Sequence, residues 1–171
     1  SEVWSTVARR PEATFAKLFL RGSWTVSLNR GGQFASFLRI GAEHPFADTE
    51  VVPLSERFFA GGSNTLRGFA TDSVGGLDVD GFNAGGEALL VLNEEWHFPI
   101  WRSLRGELFL DAGNVYQTIS DFDPTDVRSS AGLGLRLDTP IGPIRVEYGW
   151  KLDRKPDESP GELIFSIGTV F

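Results

Sequence analysis

What most constrains this chain is a period of two. Along 104–112, Leu104, Gly106, Leu108, Leu110 and Ala112 fall on one face, and Arg105, Glu107, Phe109 and Asp111 on the other. Side chains alternate in this way only in extended backbone. The pattern recurs along 129–138, 144–152 and 163–171, and earlier along 18–28, 34–43 and 87–98. These segments read as seven strands, with a weaker eighth from Val3 to Arg9. The fold class is therefore all-β, an antiparallel up-and-down barrel of about eight strands in a single domain over 1–171.

The connections sort by length. Segments 30–33, 99–102 and 139–143 are short and built from Gly and Pro, whereas 48–82, 118–126 and 153–161 are long and polar. Short turns at one end and long loops at the other are the plan of a transmembrane barrel, in which 48–82 is an extracellular loop. A soluble barrel or sandwich also alternates. Three features favour the membrane. The strands are about 10 residues or longer, as a tilted span requires. Aromatic residues Trp24, Trp96, Phe98, Trp150 and Phe171 sit near strand ends on the apolar face, with Trp101 in a short turn. The polar face carries charges of both signs, including Arg21, Arg39, Arg136, Arg145, Glu95, Glu107, Asp111 and Glu147. Such charges suit a narrow lumen in which they pair. Glu94 alone falls on the apolar face, near the short-turn end.

Composition removes several functions. The net charge of −7 and the lack of a Lys/Arg run argue against nucleic acid. With no cysteine there is no disulfide frame and no thiolate metal site. No methionine is present, so the chain reads as processed or excised. No apolar run is long enough for a membrane helix. His44 and His97 stand without a Gly-x-Ser-x-Gly elbow, and no catalytic triad is expected. The stretch GGSNTLRG lacks the Lys-Ser/Thr ending of a phosphate loop. DVDGFN (78–83) and DFDPTD (121–126) lack the spacing and closing Glu of a calcium loop, and read as solvated loops. No catalytic residue, metal or cofactor is expected.

One segment breaks the alternation, RFFAGGSNTLRGF at 57–69. It resembles the loop signature of the outer-membrane assembly-factor superfamily that includes BamA and TamA, also called bacterial surface antigens. LNEEWHFPI, ELFLDAGNV, RSSAGLGLRLDTPIGPIRVEYG and LIFSIGTVF follow in the order that the family shows. The resemblance covers about Phe15 to Phe171. It implies that the long loop folds back into the lumen, with Arg67, Gly68 and Phe69 as its core and Gly61 and Gly62 before it. It further implies that Arg67 meets Glu95 and Asp111, and that Phe165, Gly168 and Phe171 belong to the C-terminal strand signal.

The resemblance also implies residence in the bacterial outer membrane, with the lipid bilayer as first partner. Client outer-membrane proteins would pair with a seam strand, in their insertion, assembly or translocation. The chain departs from full-length members, which carry POTRA domains and sixteen strands. It reads either as half of such a barrel or as a short relative closing alone, as a monomer or a barrel-edge dimer. A structural or anchoring barrel without insertase activity is the alternative function.

Overall fold

The computed structural model describes residues 2–10, 13–47, 51–77, 81–140 and 142–168. Eight strands form one antiparallel sheet in chain order: β1 (Glu2–Arg10), β2 (Ala13–Ser27), β3 (Gln33–Pro45), β4 (Ala88–Trp101), β5 (Leu104–Tyr116), β6 (Arg128–Leu137), β7 (Ile144–Lys151) and β8 (Gly161–Ile167). Among the described residues β1 pairs only with β2 and β8 only with β7, so the meander is not closed by hydrogen bonds. Among the described residues no helix is long and apolar enough to cross a membrane.

The sheet turns its apolar side outward. Leu108, Leu110, Leu133 and Leu135 are 43–49% exposed, whereas Glu107, Asp111, Ser130 and Glu147 are 0–2% exposed. This inverts the polarity of a soluble sandwich, whose apolar face is the covered one. An apolar outer band over a polar interior is stable only with hydrocarbon outside. The tryptophans mark both edges of that band. Trp24, Trp96 and Trp101 lie toward the short turns, and Trp150 lies toward the long loops. Phe171 lies outside the described residues.

Three details differ from the sequence reading. Trp101 is the last residue of β4, paired with Leu104, so the turn shrinks to 102–103. Pro99 does not end the strand: it pairs with Arg105, and the register shifts by a bulge between Pro99 and Trp101. The long connection runs from 46 to 87 and so takes in 83–87 beyond the 48–82 loop, while β4 starts at Ala88, within one residue of the strand read from sequence. Glu94 does face outward, opposite Ser36, whose hydroxyl donates to its Oε1 at 2.8 Å.

The apolar core lies inside the curve, between the sheet and the 46–87 connection. Phe58, Ala60, Leu66, Phe69 and Val74 of that connection pack on Leu89, Val91 and Val115 of the sheet. Bridges at Phe58–Gly86 and Ala60–Val74 fold the connection on itself. These bridges pair the backbone of Phe58, Ala60, Val74 and Gly86 locally, as burial requires.

Candidate functional site

The site is assembled by the register of β4 to β7. Three rows run across these strands on the polar face of the sheet. The first is Asn93, Asp111, Ser130 and Lys151; the second is Glu95, Phe109, Gly132 and Gly149; the third is His97, Glu107, Gly134 and Glu147. The middle row has two glycines beside one phenylalanine. It therefore forms a low floor between two polar rows. The Arg67–Gly68 backbone lies on that floor. A Cβ at Gly149 would stand 2.7 Å from the Arg67 carbonyl carbon, and a Cβ at Gly68 would stand 2.5 Å from that of Ser130. Close approach is what these two glycines supply. Gly61 and Gly62 do a different job. Their φ angles of +113° and +89° turn the chain ahead of the tripeptide.

Arg67 is then held on every side. Its Nε and Nη2 donate to Asp111 Oδ2 and Oδ1 at 2.9 and 2.7 Å, a two-pronged pairing. Nη1 lies 2.7 Å from Glu107 Oε1, 2.8 Å from Glu95 Oε1 and 3.1 Å from Glu147 Oε1. The guanidinium covers the Phe109 ring at 3.8 Å. The backbone nitrogen of Arg67 also donates to Asp111 Oδ2 at 2.9 Å, so one carboxylate holds both side chain and main chain. Asn93 adds a bond to Asp111 at 2.8 Å and another to the Thr65 carbonyl at 2.5 Å. Burial alone would lower the pKa of Arg67. Its bonds to Asp111 and the surrounding carboxylates outweigh that, and hold it above the ordinary arginine value.

The loop is pinned again beyond Arg67. Gly68 donates to Ser130 Oγ at 3.2 Å. The Phe69 ring lies between Arg128 at 4.6 Å and Lys151 at 5.3 Å. Arg128 in turn grips Glu158 through two bonds, at 2.9 and 2.7 Å, and meets Asp153. The 152–160 loop is thereby tied to the strand that carries Ser130.

The structure brings Arg67, Glu95 and Asp111 together. It adds Glu107 and Glu147, which the sequence reading placed on the lumen face without connecting them to Arg67. Their signal was register: both residues pair with Gly134, one from each side. Phe165 lies on β8 and points outward. Gly168 follows that strand with φ +91° and donates to the Pro143 carbonyl at 2.8 Å.

Glu95, His97 and Glu107 bring possible ligand atoms within 4.8 Å of one another. Both carboxylates already face the Arg67 guanidinium, and His97 faces both, with Nε2 3.0 Å from Glu95 and Nδ1 3.5 Å from Glu107. This is an ion-pair cluster organised around an arginine. The acidic loops are also occupied locally. Asp121 accepts from Thr118, and Asp123 accepts from Thr125. Residues 78–80 of the other stretch lie outside the described residues.

The family model described as the Omp85 superfamily domain matches residues 7–171. The outer membrane protein assembly factor BamA of Nitratidesulfovibrio vulgaris is 32% identical over 126 residues, covering 70% of this chain and 16% of its own length. BamA of Neisseria meningitidis serogroup B is 25% identical over 182 residues, covering 87% of this chain and 22% of its own. Outer envelope protein 80, chloroplastic, of Arabidopsis thaliana is 31% identical over 121 residues, covering 66% and 15%. The chain thus spans about a fifth or less of the length of these relatives. In fold it matches the crystal structure of BamA from Haemophilus ducreyi lacking POTRA domains 1–3. The TM-score is 0.71 at 22% identity, over 95% of this chain and 39% of that one.

Proposed function

The chain belongs to the Omp85 superfamily, and from that premise we propose that it acts in the insertion or assembly of outer-membrane proteins by offering a sheet edge to client strands. The observation that carries this reading is β8. It is seven residues long, against thirteen in β5, and pairs on one side only among the described residues. Its outward side chains Leu163, Phe165 and Ile167 are 61–70% exposed. A strand with a free ladder edge and an apolar outer face is a template for β-augmentation in a bilayer.

In this reading 1–171 is a single barrel domain in the bacterial outer membrane, and the 46–87 connection is its extracellular loop, plugged into the lumen by Arg67. The chain does no bond chemistry. Its binding energy goes into pairing backbone groups that lipid cannot satisfy. The partners are the bilayer and client strands, with the chain as a monomer or an edge-paired dimer. The test is reconstitution in liposomes, with the folding rate of a client barrel as readout. Acceleration over empty liposomes supports the reading, and equal rates sink it.

A second reading is favoured by the filled interior. Loop residues occupy the space inside β4 to β7, so a purely structural or anchoring barrel fits the same fold. Equal rates in the liposome assay would select it.

A further inference from the structure

Arginines that are scattered in the sequence meet inside the curve of the sheet. Arg21 of β2 lies opposite Arg39 of β3. Arg136 of β6 is the register partner of Arg105 on β5 and of Arg145 on β7. Register partners share a face with Cβ atoms roughly 4.5–5.5 Å apart, and like charges there repel. Arg21, Arg39, Arg136 and Arg145 line one cavity of about 290 Å³, bounded at the loop end by Asn64 and Arg67.

Among its described lining residues the cavity has little to neutralise them. Glu95 is the single carboxylate among its described lining residues, and it is engaged by Arg67 and His97. Arg39 donates to the neutral amide oxygen of Asn93 at 2.6 Å. Arg136 bonds Asp138, an exposed carboxylate at the strand end. The buried Nε of Arg145 and the buried Oγ of Ser166 have no hydrogen-bond partner among the described residues, and these two residues are register partners. Buried donors without acceptors are rare in folded proteins, and two side by side need a cause.

We propose that this cavity is a binding site for a phosphate-bearing anion. Planar guanidinium groups match phosphate oxygens in pairs. Arginine pairs on two walls, β2–β3 and β6–β7, match an anion carrying more than one charge. A monovalent carboxylate would satisfy one wall only. The volume lies at the small end of ligand cavities, which run from about 300 to 1,000 Å³, so the site takes one or two phosphoryl groups. A soluble phosphate ester and a lipid phosphate headgroup share this chemistry.

The test uses the full chain folded in nonionic detergent and phosphate-free buffer, with calorimetric titration of pyrophosphate. Saturable one-to-one binding is expected. Arg145→Gln and Arg136→Gln should each weaken it by about tenfold or more, the loss of a paired charge-assisted contact, while Arg102→Gln in the 102–103 turn leaves it unchanged. Without the anion both lumen variants should unfold at or above the parent's urea midpoint, because each relieves repulsion. A parallel titration with phosphatidic acid in mixed micelles separates the sources. Binding of the lipid alone, lost in Arg145→Gln, assigns a headgroup, and binding of pyrophosphate assigns a soluble phosphate. The proposal is overturned if neither probe binds, if binding is indifferent to Arg145→Gln, or if the variants are less stable than the parent without anion.

Discussion

Replacing Arg67 with alanine isolates the energy that holds the loop in the lumen. The side chain has five bonds to four carboxylates: two to Asp111 and one each to Glu95, Glu107 and Glu147. Asp111 and Glu107 are buried. An exposed ion pair contributes only about 0–1 kcal/mol. Removing one partner from a buried pair costs about 3–5 kcal/mol, because it strands the other charge away from water. The ring contact with Phe109 adds about 0.5–2 kcal/mol. Two bonds survive the substitution, from the Arg67 backbone nitrogen and from Asn93 to Asp111. We therefore expect a loss of about 3–4 kcal/mol, toward the low end of the buried-pair range.

Equilibrium urea unfolding in detergent, followed by tryptophan fluorescence, reads this as a lower midpoint at unchanged slope. Arg67→Lys should fall in between, since an ammonium keeps the charge but cannot form the two-pronged pairing. A double-mutant cycle with Asp111→Asn should give a coupling of about 1.5–3 kcal/mol. A loss below about 1 kcal/mol for Arg67→Ala, with no coupling, would place Arg67 in solvent and refute the reasoning.

Two further outcomes are expected. Gly149→Val should dislodge the loop without unfolding the sheet, because its Cβ would meet the Arg67 backbone at 2.7 Å; limited proteolysis should then cut within 46–87, and full protection of that segment would contradict the close approach. The hydrogen bonds from Arg128 hold the Glu158 carboxyl down to about 2, from 4.5. A depressed folded value means that the stabilisation is complete above the unfolded value and is lost as pH falls through the folded one. The gap in urea midpoint between parent and Glu158→Gln should therefore persist at pH 5 and vanish near pH 2, and a gap that does not change with pH would remove the pairing from the account.

Strand positions were legible in the sequence because burial is one-sided. A residue such as Leu110 has one solvent on its face and Asp111 another, so the alternation survives without tertiary information. Strand ends were less legible. Pro99 looks like a breaker, yet it pairs with Arg105 and β4 runs on past it to Trp101. The acidic ring around Arg67 was visible one residue at a time. What composes it is the register of four strands, which puts Glu107 and Glu147 on either side of Gly134. The arginine cavity was invisible for the same reason. Arg39, Arg136 and Arg145 are far apart in sequence, and no run of basic residues announces them.

The central claim is that the apolar face of this sheet meets lipid while its charged face encloses the loop. The chain has no cysteine, so a single spin label at Leu110→Cys reports from one place. In vesicles, electron paramagnetic resonance should show the label open to molecular oxygen and shielded from a water-soluble nickel reagent. A label reached by nickel as freely as one at the exposed loop position Asp157→Cys would mean that Leu110 faces water, and would contradict the account.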